Sequence, residues 1–171
     1  LGGSLPPSVS GLFLHLSATI WLIVLMGRAL KAGGQLDRAG GWHLLASYAW
    51  ILLPVLVAPL ILLGITEGGP IESTAPQALI YGWILQFGIA LIPYIARRFF
   101  LGEQKPQLGG NWGSLAGITL GSIFIWVSIF IVPARGILYG IGFALYALAM
   151  IPPVRELFEI ARDGLKKIET A

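Results

Sequence analysis

The sequence has no cysteine, few charged residues and only two histidines. Without cysteine there is no disulfide, no thiolate metal site, no cysteine nucleophile and no cysteine-bound iron–sulfur cluster. Charged residues make up 11% of the 171 residues, whereas hydrophobic residues make up 56%. One soluble domain of this length cannot bury so much apolar surface, and disorder requires low hydrophobicity and high net charge. The composition therefore predicts that a lipid bilayer surrounds the chain.

Five apolar stretches have about the length of a helix that crosses a membrane. No Asp, Glu, Lys or Arg lies in the middle of any of them. The predicted fold class is therefore all-α, an integral membrane bundle of five transmembrane helices within residues 1–152. The predicted spans are residues 10–30, 43–64, 76–95, 112–132 and 136–151.

The C-terminal tail changes character after Pro152 and Pro153. Its apolar residues recur at steps of three and four, as in an amphipathic helix. A proline at a helix start followed by acidic residues in the first turn is typical of an N-terminus. The pattern predicts a separate amphipathic helix over residues 153–171, which lies on the cytoplasmic membrane surface or packs on a partner subunit.

Lysine and arginine alternate between the two sides of the predicted bundle. The first connection, the third connection and the tail hold ten of them, whereas the opposite side holds only Arg135. By the positive-inside rule the N-terminus lies outside and the tail in the cytoplasm, most simply in a bacterial inner membrane. The net charge of +3 reflects this asymmetry, so it does not indicate nucleic-acid binding.

The first ten residues carry no positive charge and resemble an interhelical loop more than a signal peptide. We therefore expect an upstream part of a longer protein to precede Leu1, with processing of a precursor as the alternative. The expected partners are the lipid bilayer and either other membrane subunits or that upstream part.

Small residues four apart form a stripe on each of the last two spans. The stripe on the fourth span comprises Gly113, Gly117 and Gly121, and the stripe on the fifth comprises Gly136, Gly140 and Ala144. Such stripes allow helix backbones to approach closely in lipid. They predict that these two spans form the tightest helix pair, with a face cleared for a flat cofactor as the alternative.

Two histidines and one glutamine are the polar residues of interest in the spans. At about 1.5 Å of rise per residue, His15 and His43 lie about 24 Å apart along the membrane normal, whereas two axial ligands of one haem iron lie about 4 Å apart. Each histidine is a candidate haem ligand, but not for the same haem; the alternatives are a structural His15 and a capping or snorkelling His43. Gln86 is expected to form an interhelical hydrogen bond.

No catalytic residue can be identified from the sequence. It has no paired carboxylates in a span, no phosphate-binding glycine loop and no histidine cluster with metal-ligand spacing. The identity of any metal is left open, and an enzymatic activity of this chain alone is not expected.

Residues 75–86 (APQALIYGWILQ), together with residues 92–99 (IPYIARRF), resemble a helix of NnrS-type proteins. These are polytopic haem- and copper-containing membrane proteins, distantly similar to the catalytic subunits of haem–copper oxidases. Ala78, Gly82–Trp83 and Arg97 match the pattern of that helix, and Gln77 stands where the family has a histidine. The resemblance implies haem as the cofactor, and Arg97 and Arg98 as partners for carboxylates such as propionates.

Two functions are therefore compatible with the sequence. The first is a non-catalytic or haem-associated subunit or segment of a membrane complex in respiratory or nitrogen-oxide metabolism. The second is an NnrS-like haem-binding membrane protein with its own redox or haem-handling role.

Overall fold

The computed structural model describes residues 5–64 and 68–169, and in those ranges the chain is all-helical, with no strand. The predicted all-α class is thus confirmed for this part of the chain. A π-helical turn, Ile80–Leu85, joins α3 to α4 without a break, and a 3-10 turn, Val132–Ala134, precedes α6. The helices are α1 (Leu5–Ala32), α2 (Ala39–Leu62), α3 (Gly68–Leu79), α4 (Gln86–Phe100), α5 (Trp112–Val127) and α6 (Arg135–Glu169).

Three helical segments of the described residues are long and apolar enough to cross a membrane: Ser10–Ala32, Ser73–Phe100 and Val132–Glu169. α5 is apolar but shorter, because it ends at Val127 rather than at the predicted residue 132. Directly after Val127 the backbone tightens, because the N–H groups of Ile129 and Phe130 donate to the carbonyls of Trp126 and Val127, three positions back.

The separate tail helix predicted after Pro153 is not separate. α6 continues through Pro152 and Pro153 to Glu169. Each proline removes a backbone hydrogen bond, which normally ends or kinks a helix. Here the continuation packs along α4, with Gly164 against the Phe100 side chain. This tertiary contact stabilises the helix where the local sequence favours a break.

α5 and α6 make the most extensive contact of any two helices, which confirms the predicted pairing of the last two spans. A Cβ atom built on Gly117 would lie 2.7 Å from the Ala149 Cβ, and one on Gly121 would lie 2.7 Å from Tyr146 Cε1. The two backbones are therefore close because these side chains are missing. Gly113, by contrast, is exposed at the start of α5.

The stripe of small residues predicted on α6 does not form the contact. Gly136 and Gly140 have no neighbouring atom within 4 Å of an added Cβ, and Ala144 is exposed. The contact uses Gly142 instead, where an added Cβ would lie 2.8 Å from Ile125 Cγ1. Two residues along a helix correspond to a rotation of about 200°, so Gly142 faces the side opposite to Gly140.

The main buried cluster lies between α4, α5 and α6. It comprises Ile89, Ile118, Ile125, Tyr146 and Ala149. α2 packs against α4 and the π-helical turn on the other side of this core.

α1 lies at the edge of the bundle and packs against α2. Of its described side chains only Thr19 and Leu30 are buried. Large apolar side chains such as those of Phe13 and Trp21 are exposed. α1 therefore presents an apolar face that the described residues leave uncovered.

Candidate functional site

A buried polar site lies where the first turns of α2 and α5 meet. His43 and Ser114 are both completely buried, and His43 Nε2 lies 2.9 Å from Ser114 Oγ. A polar pair in such surroundings is costly unless its hydrogen bonds are formed. The hydrogen-bond partners of the His43 ring nitrogens and of the Ser114 hydroxyl therefore determine how this site is held together.

The start of α5 fixes the position of Ser114. Asn111 caps the helix: its Oδ1 accepts the Ser114 N–H at 2.8 Å, and Ser114 Oγ accepts the Asn111 N–H at 3.1 Å. The Ser114 hydroxyl donates its own proton to the Asn111 carbonyl at 2.8 Å. The His43 tautomer that fits this arrangement donates from Nε2 to Ser114 Oγ, and its Nδ1 is then an acceptor.

Gln86 completes the site from α4. Its side chain is completely buried and faces the His43 imidazole, and its Nε2 lies 3.5 Å from Thr119 Oγ1 on α5. This contact is the interhelical hydrogen bond predicted for Gln86. Among the described residues, His43 Nδ1 and Gln86 Oε1 have no hydrogen-bond partner.

The π-helical turn places Gln86 in this position. The turn contains Gly82, where an added Cβ would lie 2.5 Å from the Trp50 indole of α2. The wider turn and the missing side chain together bring the helix against α2. π-helical turns inside α-helices often occur at functional sites, and here the turn directly precedes the buried Gln86.

The loop between α4 and α5 closes over the site. Pro93 cannot donate a hydrogen bond to the carbonyl of Ile89, and the Gly109 N–H donates to the neighbouring carbonyl of Ala90 at 3.0 Å. A Cβ atom on Gly109 would lie 2.3 Å from Pro93 Cγ and 2.7 Å from the Ile89 oxygen. Gly110 has a φ of +90° and lies against His43, so glycine is needed there for conformation as well as for space.

A polar cleft of about 580 Å³ opens on the outer side of this loop. Three arginines and three carboxylates line it: Arg38, Arg97, Arg155, Asp37, Glu156 and Glu159. We call this part of the bundle the basic end. The Glu156 carboxylate accepts from Arg97 and from the Gly110 N–H, each at 2.9 Å. Glu156 therefore ties α6 to α4 and to the loop.

The two candidate haem ligands occupy different environments. His15 is exposed on α1, and its carbonyl accepts the Thr19 hydroxyl at 2.9 Å. Its imidazole has no hydrogen-bond partner among the described residues. His43 is completely buried, and Ser114 engages its Nε2. Since α1 ends where α2 begins, the two histidines lie on the order of 20 Å apart along the bundle.

The two arginines that were expected to bind carboxylates lie in different environments. Arg97 pairs with Glu156, whereas Arg98 is exposed. Over residues 5–64 and 68–169, no three histidine, aspartate or glutamate side chains cluster as a metal site would require.

The sequence reasoning missed Ser114, Asn111 and Glu156. Asparagine before an apolar run, with serine three positions later, is a capping pattern that could have identified the first two. The pairing of Glu156 with Arg97 follows from the continuation of α6 along α4, for which the sequence gives no local signal.

Comparisons with protein-family models, with curated protein sequences and with solved structures give no match for this chain.

Proposed function

We propose that the chain is an integral membrane protein that serves as a non-catalytic subunit or segment of a larger respiratory or nitrogen-oxide-related membrane complex. The observation that carries the membrane topology is the basic end. Arg38, Arg97 and Arg155 come from three separate parts of the chain, and they line one cleft. Because the positive-inside rule assigns all three parts to the cytoplasm, the basic end is the cytoplasmic end.

The subunit role rests on α1 and on the buried polar site. α1 exposes apolar side chains along its length, as expected of a helix that faces lipid or other membrane helices. Two contacts join the helices in the buried polar site: His43 with Ser114, and Gln86 with Thr119. Such pairs fix the relative positions of helices. The assignment to respiratory or nitrogen-oxide metabolism rests on the resemblance of residues 75–99 to NnrS-type proteins.

The topology can be tested with single cysteines, because the chain has none of its own. Val132→Cys lies in the α5–α6 connection and Gln104→Cys in the α4–α5 loop, and both positions are exposed. In sealed inner-membrane vesicles of known orientation, a membrane-impermeant maleimide should label one of the two variants but not the other. Equal labelling of both from one side would disprove the proposed topology.

A second candidate function is haem binding through His15. The observation that favours it is the exposed imidazole on a helix face that the described residues do not cover. A haem held there would lie between α1 and a neighbouring helix, with His15 as one axial ligand. Arg97 is committed to Glu156 at the basic end, so it is not available to that haem's propionates.

The absorption spectrum of the protein purified from membranes distinguishes the two functions. Haem ligation predicts a Soret band that is lost or shifted in His15→Gln, because glutamine keeps hydrogen bonding but ligates iron poorly. His43→Gln is the matched variant, and it should leave such a band in place. A purified protein with no Soret band supports the non-catalytic role.

A further inference from the structure

α6 carries an apolar seam on the side that no described residue covers. The seam steps alternately by three and four positions, and its last six members are Ile151, Val154, Phe158, Ala161, Leu165 and Ile168. All six are exposed. Phe158 is 69% exposed, Leu165 63% and Ile168 71%. The seam residues after Ile151 lie beyond the predicted span, where lipid tails do not cover them. Large apolar side chains exposed there on one line of a helix indicate a surface that is covered by another molecule.

The period of the seam identifies the kind of surface. Eight charged residues lie between Arg155 and Glu169, and none of them falls on the seam. An amphipathic helix on a membrane surface shows an apolar stripe at least about 100° wide, whereas a strict alternation of three and four gives the narrower seam of a coiled coil. The exposed residues have the second pattern, because the apolar Met150 and Leu157 beside the seam line a groove against α4.

The same steps continue towards the N-terminus of α6. They pass through Ala147, Ala144 and Gly140 to Ile137, and these four residues are exposed too. Gly140 and Ala144, which do not face α5, therefore lie on the seam. A groove of about 510 Å³ opens beside it, lined in part by Ala147, Ile151 and Phe158.

We propose that α6 pairs with α6 of a second copy of this chain, in parallel and in register, as a left-handed two-stranded coiled coil along this seam. The parallel arrangement rests on the proposed membrane topology, because two copies inserted in the same way place their α6 helices side by side. In that register each seam residue meets its own counterpart, and a seam with a strict seven-residue repeat requires this supercoil.

The charges that flank the seam and the area that the seam would bury are both compatible with a second copy of the chain as the partner. The flanking Arg155 and Arg162 face Met150 and Leu157 across a parallel seam, so that no like charges meet. A seam about 47 Å long and about 10 Å wide, the diameter of a helix, covers on the order of 470 Å² on each copy. The dimer thus buries about 940 Å², which is in the range of weak protein–protein interfaces.

Single cysteines test the proposal in native membranes. Phe158→Cys and Leu165→Cys lie on the seam, whereas Asp163→Cys is a matched control on the charged face. Under mild oxidation the seam variants should form disulfide-linked dimers roughly tenfold faster than the control, since two cysteines bridge only when their Cα atoms lie within about 7 Å. Leu165→Glu should convert the protein in nanodiscs from two copies per particle to one.

Three results would overturn the proposal. The seam variants could cross-link no faster than Asp163→Cys. They could cross-link to a different protein, which would then be the occupant. A dye on Leu165→Cys could be quenched by brominated lipids in single-copy nanodiscs, which would place the seam on the membrane surface. The topology is read separately from Val132→Cys and Gln104→Cys, so its failure is distinguishable from failure of the dimer.

Discussion

Replacing Gly121 by leucine is expected to separate α5 from α6 and to destabilise the protein by about 3 kcal/mol, at the upper end of what overpacking of a core costs. An added Cβ atom alone would lie 2.7 Å from Tyr146 Cε1 and 2.9 Å from the carbonyl oxygen of Gly142. The backbone of α6 cannot yield there without moving the helix. Tyr146 cannot yield easily either, because its hydroxyl donates to Ser122 Oγ at 2.9 Å within the core.

Gly136→Leu is the matched control, because an added Cβ at Gly136 meets no atom within 4 Å. Unfolding by sodium dodecyl sulfate in mixed micelles, followed by circular dichroism, measures both variants against the parent protein. We expect a lower midpoint for Gly121→Leu and an unchanged midpoint for Gly136→Leu. The reverse order would mean that α6 packs through the stripe at Gly136 and Gly140 after all.

The glycines of α5 and α6 show how far a sequence pattern predicts helix packing. Spacing by four identifies a face on each helix, and it predicts correctly that α5 and α6 pair. On α6, however, glycines lie on two opposite faces, one with Gly140 and one with Gly142, and either face could have packed against α5. Nothing local distinguishes them, since the choice depends on Gly121 and Ile125 of α5, which lie against Gly142. Which face of α6 packs is therefore determined by residues of the partner helix, α5.

One contact of the buried polar site could be predicted from the sequence, and another could not. A glutamine in an apolar stretch must find a partner, so the interhelical bond of Gln86 follows from burial alone. The partner of His43 does not follow, because its position beside Trp42 fits a membrane boundary equally well. Ser114 lies 71 positions away along the chain, and only the packing of α2 against the start of α5 brings the two together.

The continuous α6 is the clearest case in which tertiary contacts override local preference. Pro152 and Pro153 favour a break, yet Glu156 accepts from Arg97 and from the Gly110 N–H just beyond them. Lys167 donates to the Leu101 carbonyl at 2.6 Å. These contacts are long-range, and they hold the helix against α4 along the basic end.

The Gly109→Ala variant tests the closure of the buried site. The alanine Cβ would lie 2.3 Å from Pro93 Cγ and 2.7 Å from the Ile89 carbonyl oxygen, in a place where both neighbours belong to the rigid backbone or ring of α4. The loop must therefore move outward, and the Gly109 N–H loses the Ala90 carbonyl at 3.0 Å. We expect a loss of about 2–3 kcal/mol in the free energy of unfolding, from overpacking together with the lost hydrogen bond.

Hydrogen exchange distinguishes a local opening from a global loss of stability. In Gly109→Ala the amides of the α4–α5 loop, including the Gly110 N–H that Glu156 holds, should exchange faster than in the parent protein. The matched control is Gly88→Ala, whose Cβ would meet only the flexible end of Ile92 at 3.5 Å. It should leave the loop unchanged and stabilise α4 by up to about 1 kcal/mol, because alanine is the better helix former. If Gly109→Ala unfolds and exchanges like the parent protein, the loop does not pack against Pro93 and Ile89 in the way described.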